Sequence, residues 1–359
     1  AKMRENEANR KPVGTGPYKW GEWVKGQYLV LEANENYFRE GPWIQRVRIK
    51  FFQDDQVMLA ALENGEIDYM SGIPADDVER VKETLKDDFN FYEFPNNGYS
   101  YIGLKQTHPI LKDKRVRKAM MYGIDRKTIV EDVFKGLGTV MNSHYPPISW
   151  AYTDEINKYE YDPDKAVQLL EEAGWTVVGE DGIRRNANGD KLEFTIVTAT
   201  GDKESEAVLL VAQEQLKQIG ISVKPEFYEW SVLLEQYLDV AKFEAYMLGW
   251  SLGLDPDPYI FFHSDSAEIG PDGHLKGFND VEIRNEQLDQ LIEAGRRTLD
   301  REKRKEIYHE ISKLLNEELP YVFLYTRNNV TAMHKKFQGV RFSPLGPINP
   351  EEWYIVETK

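Results

Sequence analysis

The sequence predicts an α/β protein of two lobes, in which a β-rich stretch of chain is interrupted by an α/β stretch. Residues 1–107 read as short strands with brief helices, residues 108–326 hold the long amphipathic helices, and residues 327–359 return to strand-like patterns. We therefore expect lobe I to combine the first and third stretches, and the second stretch to form lobe II. The chain would cross near 105–109 and 325–328, and clefts between domains are preferred ligand sites.

The predicted elements of lobe I rest on apolar alternation with a period of two, which is typical of half-buried strands. Lys25 and Gly26 lie between two such runs and indicate a hairpin turn. Asn64 and Gly65 mark the end of a short helix. The predicted strands are 15–23, 26–38, 47–52, 67–70, 89–95 and 98–104, and the helices are 57–64 and 76–86.

Lobe II shows helices that are bounded by recognisable caps. Asp162 is a predicted N-cap, Pro163 occupies the first helical position, and Gly174 ends that helix. A helix from 204 to 220 runs into a strand at 221–229, as in an α/β sheet. The remaining predictions are helices at 112–124, 125–136, 231–240, 285–298 and 301–317, a strand at 245–250, and a closing β-rich piece at 321–344.

Composition excludes several classes of function. The chain has 359 residues and a formal net charge of −16, which argues against a nucleic-acid partner because phosphate binding needs a basic surface. It has no cysteine, so disulfides, thiolate nucleophiles and Cys-ligated zinc are excluded. No apolar run approaches the roughly 20 residues that a membrane-spanning helix needs.

No catalytic motif can be assembled from the sequence. The six histidines show neither HxH nor HExxH spacing. A G-x-S-x-G elbow, a Walker loop and a GxGxxG fingerprint are also missing. We therefore expect that the protein is not an enzyme and that it needs no cofactor or metal.

The segment GWSLGLDPDPYIFFHSD, residues 249–265, allows three interpretations. Asp255 and Asp257 could hold Mg²⁺ or Mn²⁺ in a DxD-type glycosyltransferase. The same aspartates could merely shape a turn and cap a following helix. Alternatively, these acids and the neighbouring rings form a wall that holds a ligand without changing it, and this is the interpretation that we favour.

Aromatic residues make up 12% of the chain, and many lie in predicted loops, where rings supply rigid apolar contacts. Trp250 ends an apolar strand, at the edge where an α/β sheet presents side chains to a ligand. The alternative is that this tryptophan belongs to the core of lobe II. The predicted ligand-binding residues are Trp250, Asp255, Asp257, Tyr259, Tyr101, Tyr145 and Trp150.

Several motifs, in one order along nearly the whole chain, resemble the family 5 extracellular solute-binding proteins. These are the peptide-, dipeptide- and nickel-binding components of ABC importers. The motifs are PVGTGPYKW, GQYLVLEANENYF with PWIQRVRIKFF, LENGEIDYM, DKRVRKAMMYGIDRKTIV, YDPDKAVQLLEEAGW and GWSLGLDPDPYIFF. The resemblance implies a type II periplasmic-binding-protein-like fold of the peptide-binding cluster. It also implies a receptor that closes on a peptide between its lobes and delivers it to permease subunits.

The resemblance further implies where the protein works. Family members begin with a signal or lipoprotein segment, followed by part of lobe I and a small extra domain, all before the GTGPY motif at residues 14–18. We therefore expect lobe I to be incomplete here, with any lipid anchor absent from this chain. The expected location is extracellular, either lipid-anchored at the cell surface or periplasmic.

One position departs from the peptide-binding pattern. In such relatives an aspartate three residues after the Gly-Trp pair binds the free amino group of the peptide, but here that position is Gly253. Either Asp255 or Asp257 takes this role, or the amine is recognised in another way. The departure favours oligopeptides, held through backbone hydrogen bonds, over dipeptides. An oligosaccharide is the alternative ligand, because tryptophan faces stack on sugars.

Overall fold

The computed structural model describes residue 9 and residues 11–356. The chain divides into two compact units, one made of the residues up to Phe94 together with those from Asn328 onward, the other of Pro95–Arg327. The strand predicted at residues 98–104 falls in the second unit. The lobe bounds, 1–107 with 327–359 and 108–326, stay a prediction.

Strands occur in both units, whereas the longest helices lie in the second. The strands are β1 Tyr18–Val24, β2 Tyr28–Ala33, β3 Arg46–Lys50, β4 Tyr69–Ser71, β5 Phe89–Pro95, β6 Gly98–Leu104, β7 Gly138–Val140, β8 Val177–Val178, β9 Arg184–Arg185, β10 Glu193–Ala199, β11 Ser222–Tyr228, β12 Ala245–Ser251, β13 Tyr321–His334, β14 Phe337–Gln338, β15 Arg341–Ser343, β16 Gly346–Ile348 and β17 Tyr354–Ile355. The helices are α1 Asp55–Glu63, α2 Val78–Thr84, α3 Lys114–Gly123, α4 Arg126–Thr128, α5 Pro163–Glu172, α6 Lys203–Gln218, α7 Trp230–Leu233, α8 Tyr259–Phe262, α9 Glu286–Arg297 and α10 Arg301–Glu318.

In the first unit, β1, β2 and β3 form an antiparallel meander. Its first turn contains Gly26 at a φ of +75°, a conformation that glycine adopts without strain, so the predicted hairpin is confirmed. The side chain of Asp54 caps α1 by accepting from the amides of Gln56 and Val57. Strand β4 pairs with the later part of β13, through Thr331–Met333, and β5 also pairs with β13.

The second unit is built on a sheet with the order β11-β10-β12-β6-β13, whose first three strands are parallel. Strand β6 runs antiparallel to β12 on one side and to the first part of β13 on the other. Helix α5 has the predicted cap, since the Asp162 side chain accepts from the Lys165 amide and Pro163 lies in the first turn. The large apolar core of this unit lies between the sheet and its helices.

The structure corrects two predicted helices and adds strands that were not predicted. The helix predicted at 125–136 is a single α-turn, α4, followed by a π-helical turn at Ile129–Val133. The β-branched run that begins at Thr128 has a low helical propensity, which fits this irregularity. The helix predicted at 231–240 is likewise α7 followed by a π-helical turn at Leu234–Leu238. Strands β7, β8, β9 and β10 were not predicted, and β10 lies in the interior of the sheet between β11 and β12.

Among the described residues, no helix has both the length and the apolar character that crossing a bilayer requires.

Candidate ligand-binding site

The candidate site begins at the carboxyl end of β12. Trp250 is half-buried there and pairs in register with Tyr99 of β6. The two strands approach closely at the next residue pair, because a Cβ added to Gly98 would lie 2.0 Å from the carbonyl oxygen of Trp250. Glycine at position 98 therefore lets β6 and β12 pair up to the strand end that carries Trp250.

Three aromatic side chains form a cluster that is partly open to solvent, and we call it the ring patch. The Trp250 ring centroid lies 4.8 Å from that of Phe261 and 5.5 Å from that of Phe278. The two phenylalanine centroids are 6.2 Å apart. Phe278 is 49% exposed, which is high for a phenylalanine next to a core. The ring patch thus offers an apolar surface that a ligand can cover.

Behind the ring patch lies a group of buried polar side chains that we call the hydroxyl cluster, made of Tyr101, Tyr246, Tyr321 and Asp280. Tyr101 stacks on Trp250 at 5.7 Å and on Tyr321 at 4.0 Å between ring centroids. Its hydroxyl lies 3.0 Å from that of Tyr246, which donates to Oδ1 of Asp280 at 2.8 Å. The indole Nε1 of Trp250 donates to the Tyr321 hydroxyl at 3.4 Å.

Burial controls the ionisation of the hydroxyl cluster. It raises the pKa of Asp280 to about 7, although hydrogen bonds from Tyr246 and from backbone amides, and the charge of Lys105, act in the opposite direction. Burial also raises the pKa of Tyr101 and of Tyr246 well above the usual value. The two hydroxyls therefore stay protonated, and Asp280 is the group in this cluster whose charge changes near neutral pH.

Asp255 is held by an arginine of helix α10. Both of its carboxylate oxygens accept from the guanidinium of Arg304, at 3.0 Å and 2.6 Å. Its Oδ1 also accepts from the amide of Asp257 at 3.1 Å, as in an Asx turn. Asp255 thus shapes the loop and joins it to the helix.

Asp257 has a similar environment at helix α9. Its Oδ2 lies 3.1 Å from Nε of Arg296, and its Oδ1 accepts from the amide of Tyr259 at 3.0 Å. The Arg296 guanidinium also lies 4.2 Å from the ring centroid of Tyr259, which stacks on His263. Each aspartate of the loop is therefore paired with one cation.

Trp150 and Tyr145 lie near Arg304. The guanidinium carbons of Arg301 and Arg304 are 5.2 Å and 5.8 Å from the Trp150 ring centroid. A surface depression of about 420 Å³ is lined here by Trp150, both arginines, Asp255 and two leucines. Tyr145 is only 2% exposed, and its hydroxyl has no hydrogen-bond partner among the described residues.

The predicted residues therefore form three neighbouring groups. Trp250 and Tyr101 stack on each other. Asp255 and Trp150 both contact Arg304, and Tyr145 lies near them. Asp257 and Tyr259 both contact Arg296. Five further side chains, which the sequence did not indicate, join these groups or support them. They are Tyr246, Phe261, Phe278, Asp280 and Tyr321.

Metal binding was one of the interpretations of the 249–265 segment. In the part of the chain that the structure describes, no group of three or more His, Asp or Glu side chains is placed to hold a metal ion. The carboxylates of Asp255 and Asp257 instead face guanidinium groups. This arrangement favours a structural or ligand-facing role for the loop.

Comparison with known proteins gives the family. Residues 1–270 match the family described as "Bacterial extracellular solute-binding proteins, family 5 Middle". The chain belongs to this family. The resemblance that the sequence motifs indicated is thereby confirmed, together with the α/β two-lobed class of fold.

Two solved structures and a further relative show what the chain is similar to. It is 37% identical to the oligopeptide-binding protein AppA of Bacillus subtilis over 99% of this chain and 65% of that protein. The AppA structure in complex with a nonapeptide has a TM-score of 0.85, covering 99% of this chain and 70% of that one. NikZ of Campylobacter jejuni, in complex with Ni(L-His), is 27% identical with a TM-score of 0.84, covering 97% of this chain and 70% of that one. The heme-binding protein A of Haemophilus influenzae is 27% identical over 94% of this chain and 58% of that protein.

The chain thus spans about two thirds or less of the length of these relatives.

Proposed function

We propose that this protein is the substrate-binding component of an ABC importer, which captures oligopeptides and delivers them to a membrane permease. The observation that carries the proposal is its 37% identity, over 99% of the chain, to an oligopeptide-binding protein. We infer that it is a receptor and not an enzyme. We also infer that it works outside the cytoplasmic membrane, in a periplasm or at the cell surface with a lipid anchor.

The ring patch supplies the physical basis for holding a peptide. Trp250, Phe261 and Phe278 combine a large apolar area with few rotatable bonds, so covering them with ligand costs little side-chain entropy. Tyr101 and Tyr321 support the tryptophan from behind. A bound peptide would add backbone hydrogen bonds, which tolerate many sequences.

Recognition of the peptide amine by Asp255 or Asp257 is a separate proposal. Each carboxylate already accepts hydrogen bonds from a guanidinium or lies in an ion pair with one. An incoming ammonium group would therefore share the carboxylate with Arg304 or Arg296. The exposed position of Asp255 makes it the more accessible of the two.

Native mass spectrometry of the protein produced in its own cells, followed by calorimetry with a nonapeptide pool, tests the proposal. We expect a co-purified peptide and saturable binding. Trp250→Ala should weaken binding by at least about 1 kcal/mol, which is about fivefold, as for other buried aromatic anchors. Trp230→Ala is the matched control, because Trp230 is 51% exposed in the same unit and lies outside the ring patch.

Other outcomes would favour the alternatives. A co-purified oligosaccharide would support the sugar-binding hypothesis. Mn²⁺ binding that is lost in both Asp255→Asn and Asp257→Asn would support the DxD-type transferase. Equal losses of peptide affinity in Trp250→Ala and Trp230→Ala would show that the ring patch is not part of the binding site.

A further inference from the structure

We propose that Asp280 is a positioning residue for ligand binding, which fixes the orientation of Trp250 through the hydroxyls of Tyr246 and Tyr101. The inference rests on the proposed function, since it assumes that the ring patch contacts the peptide. Asp280 itself touches no ligand in this scheme. It acts from behind the surface, at the inner end of the hydroxyl cluster.

The backbone around Asp280 is firmly held. Asn279 is fully buried, and its side-chain amide donates to the carbonyl oxygens of His263 and Ile283. On the other side, the carbonyl oxygen of Val281 accepts from the amide of Gln106 at 2.8 Å. A carboxyl group on such a segment has a fixed place, so it can orient the groups that bind to it.

The contacts from Asp280 lead directly to the back of the tryptophan. Its Oδ1 accepts from the Tyr246 hydroxyl at 2.8 Å, and that hydroxyl lies 3.0 Å from the one of Tyr101. The Tyr101 ring is fully buried and stacks on Trp250 with an interplanar angle of 17°. The tilt of Trp250 therefore depends on a ring whose hydroxyl is held by the Asp280–Tyr246 pair.

The charge state of Asp280 controls the strength of this support. The groups that act on it are the hydroxyls of Tyr246, Tyr101 and Tyr321 and the ammonium of Lys105, which itself lies 3.4 Å from a carboxylate oxygen of Glu282. A hydrogen bond to an ionised carboxylate is stronger than one to a neutral acid, and linked hydrogen bonds polarise one another. The Trp250 ring should thus be held best when Asp280 is ionised.

This arrangement predicts that peptide affinity depends on pH around neutrality. Since burial raises the pKa of Asp280 to about 7, the carboxyl group is mainly neutral at pH 6 and mainly ionised at pH 8. We expect the affinity for a nonapeptide pool to rise by roughly threefold between these pH values, the scale of a difference between a neutral and a charge-assisted hydrogen bond. A purely structural role for Asp280 would not produce such a profile.

The test is calorimetry of the full chain with the nonapeptide pool at pH 6, 7 and 8. Asp280→Asn keeps a hydrogen-bond acceptor for Tyr246 but cannot ionise, so its affinity should be independent of pH. Tyr246→Phe breaks the connection while leaving Asp280 in place, and it should lower the affinity and flatten the profile. Asp164→Asn, at an exposed position of α5, is the control and should behave as wild type.

Near-ultraviolet circular dichroism keeps this inference separable from the proposed function. The aromatic signal of the ligand-free protein should change between pH 6 and pH 8 in the wild type and stay constant in Asp280→Asn. If Trp250→Ala binds peptide as well as wild type, the proposed site is wrong. The spectra of the ligand-free protein then still show whether Asp280 orients Trp250. A wild-type pH profile, of affinity and of spectrum, in both Asp280→Asn and Tyr246→Phe would overturn the inference.

Discussion

At the scale of single residues, Asp280 carries a buried carboxyl with no cationic group in hydrogen-bond contact among the described residues. Asp280 is 5% exposed and bonds to a tyrosine hydroxyl. Such a group is costly to ionise, and the cost appears as a raised pKa. Its position, one residue after the buried Asn279, could not be recognised from the sequence as special.

The stability of the protein should therefore depend on the ionisation of Asp280. The pKa is about 7 in the folded state and near the ordinary 3.8 when the chain is unfolded. Between these values the folded state binds more protons, so the free energy of unfolding should fall as pH rises from 4 to 7 and then level off. Above pH 7, the raised pKa of Asp280 should lower the free energy of unfolding by about 4 kcal/mol. Denaturant titrations of wild type and Asp280→Asn measure it, and an identical pH slope in both proteins would contradict it.

The loop aspartates allow a prediction about the ligand. If Asp255 or Asp257 binds the peptide amine, acetylating the amino terminus of the nonapeptides removes the positive charge and should weaken binding by about tenfold, as expected for a charge-assisted hydrogen bond. Calorimetry with acetylated and free peptides measures the difference. Equal affinity would show that neither aspartate binds the peptide amine. Both would then be turn residues that pair with Arg304 and Arg296.

At the scale of elements, the pairing of β6 with β12 decides where Trp250 is presented. Gly98→Ala should distort this pairing, because the new Cβ would lie 2.0 Å from a backbone oxygen that cannot rotate away. We expect a loss of about 3 kcal/mol in the free energy of unfolding. Gly253→Ala is the control, since the nearest heavy atom would be 3.9 Å from its Cβ. Equal stability of the two variants would show that the strands can separate without cost.

The elements also show what local sequence can predict. The β1–β2 hairpin and the capped helix α5 were predictable because each is specified by neighbouring residues, namely Gly26 at the turn and Asp162 with Pro163 at the cap. Strand β10 was overlooked although its sequence, EFTIVTA, is rich in the β-branched residues that favour strands. The two π-helical turns lie within stretches whose apolar spacing indicates an ordinary helix.

The candidate site was only partly predictable for a related reason. Trp250 could be proposed as a site residue because it ends an apolar strand beside a loop rich in aspartate and proline. The hydroxyl cluster draws on Tyr101, Tyr246, Asp280 and Tyr321, which belong to four separate segments that only the tertiary fold brings together. No spacing rule within one segment connects these positions.

At the scale of the whole molecule, ligand binding should stabilise the fold. A nonapeptide pool at 100 times its dissociation constant should add about 2.7 kcal/mol to the free energy of unfolding, because it binds only the folded chain. A thermal-shift measurement should therefore give a higher melting temperature with peptide for the wild type and for Trp230→Ala. Trp250→Ala at the same peptide concentration should show a clearly smaller shift. If no peptide raises the melting temperature of the wild type, a purely structural or partner-binding protein becomes the better description.

Strand β13 has a consequence for the order in which the protein is made. Its residues Tyr321–Tyr325 complete the sheet of the second unit, while Thr331–Met333 pair with β4 of the first. The ribosome synthesises β4 and β5 more than two hundred residues before β13, their partner strand. The backbone groups of β4 and β5 that pair with β13 therefore stay unpaired during that time. The first unit therefore cannot pair β4 and β5 with β13 until the later part of the chain has emerged, and until then these strands expose edges that can aggregate.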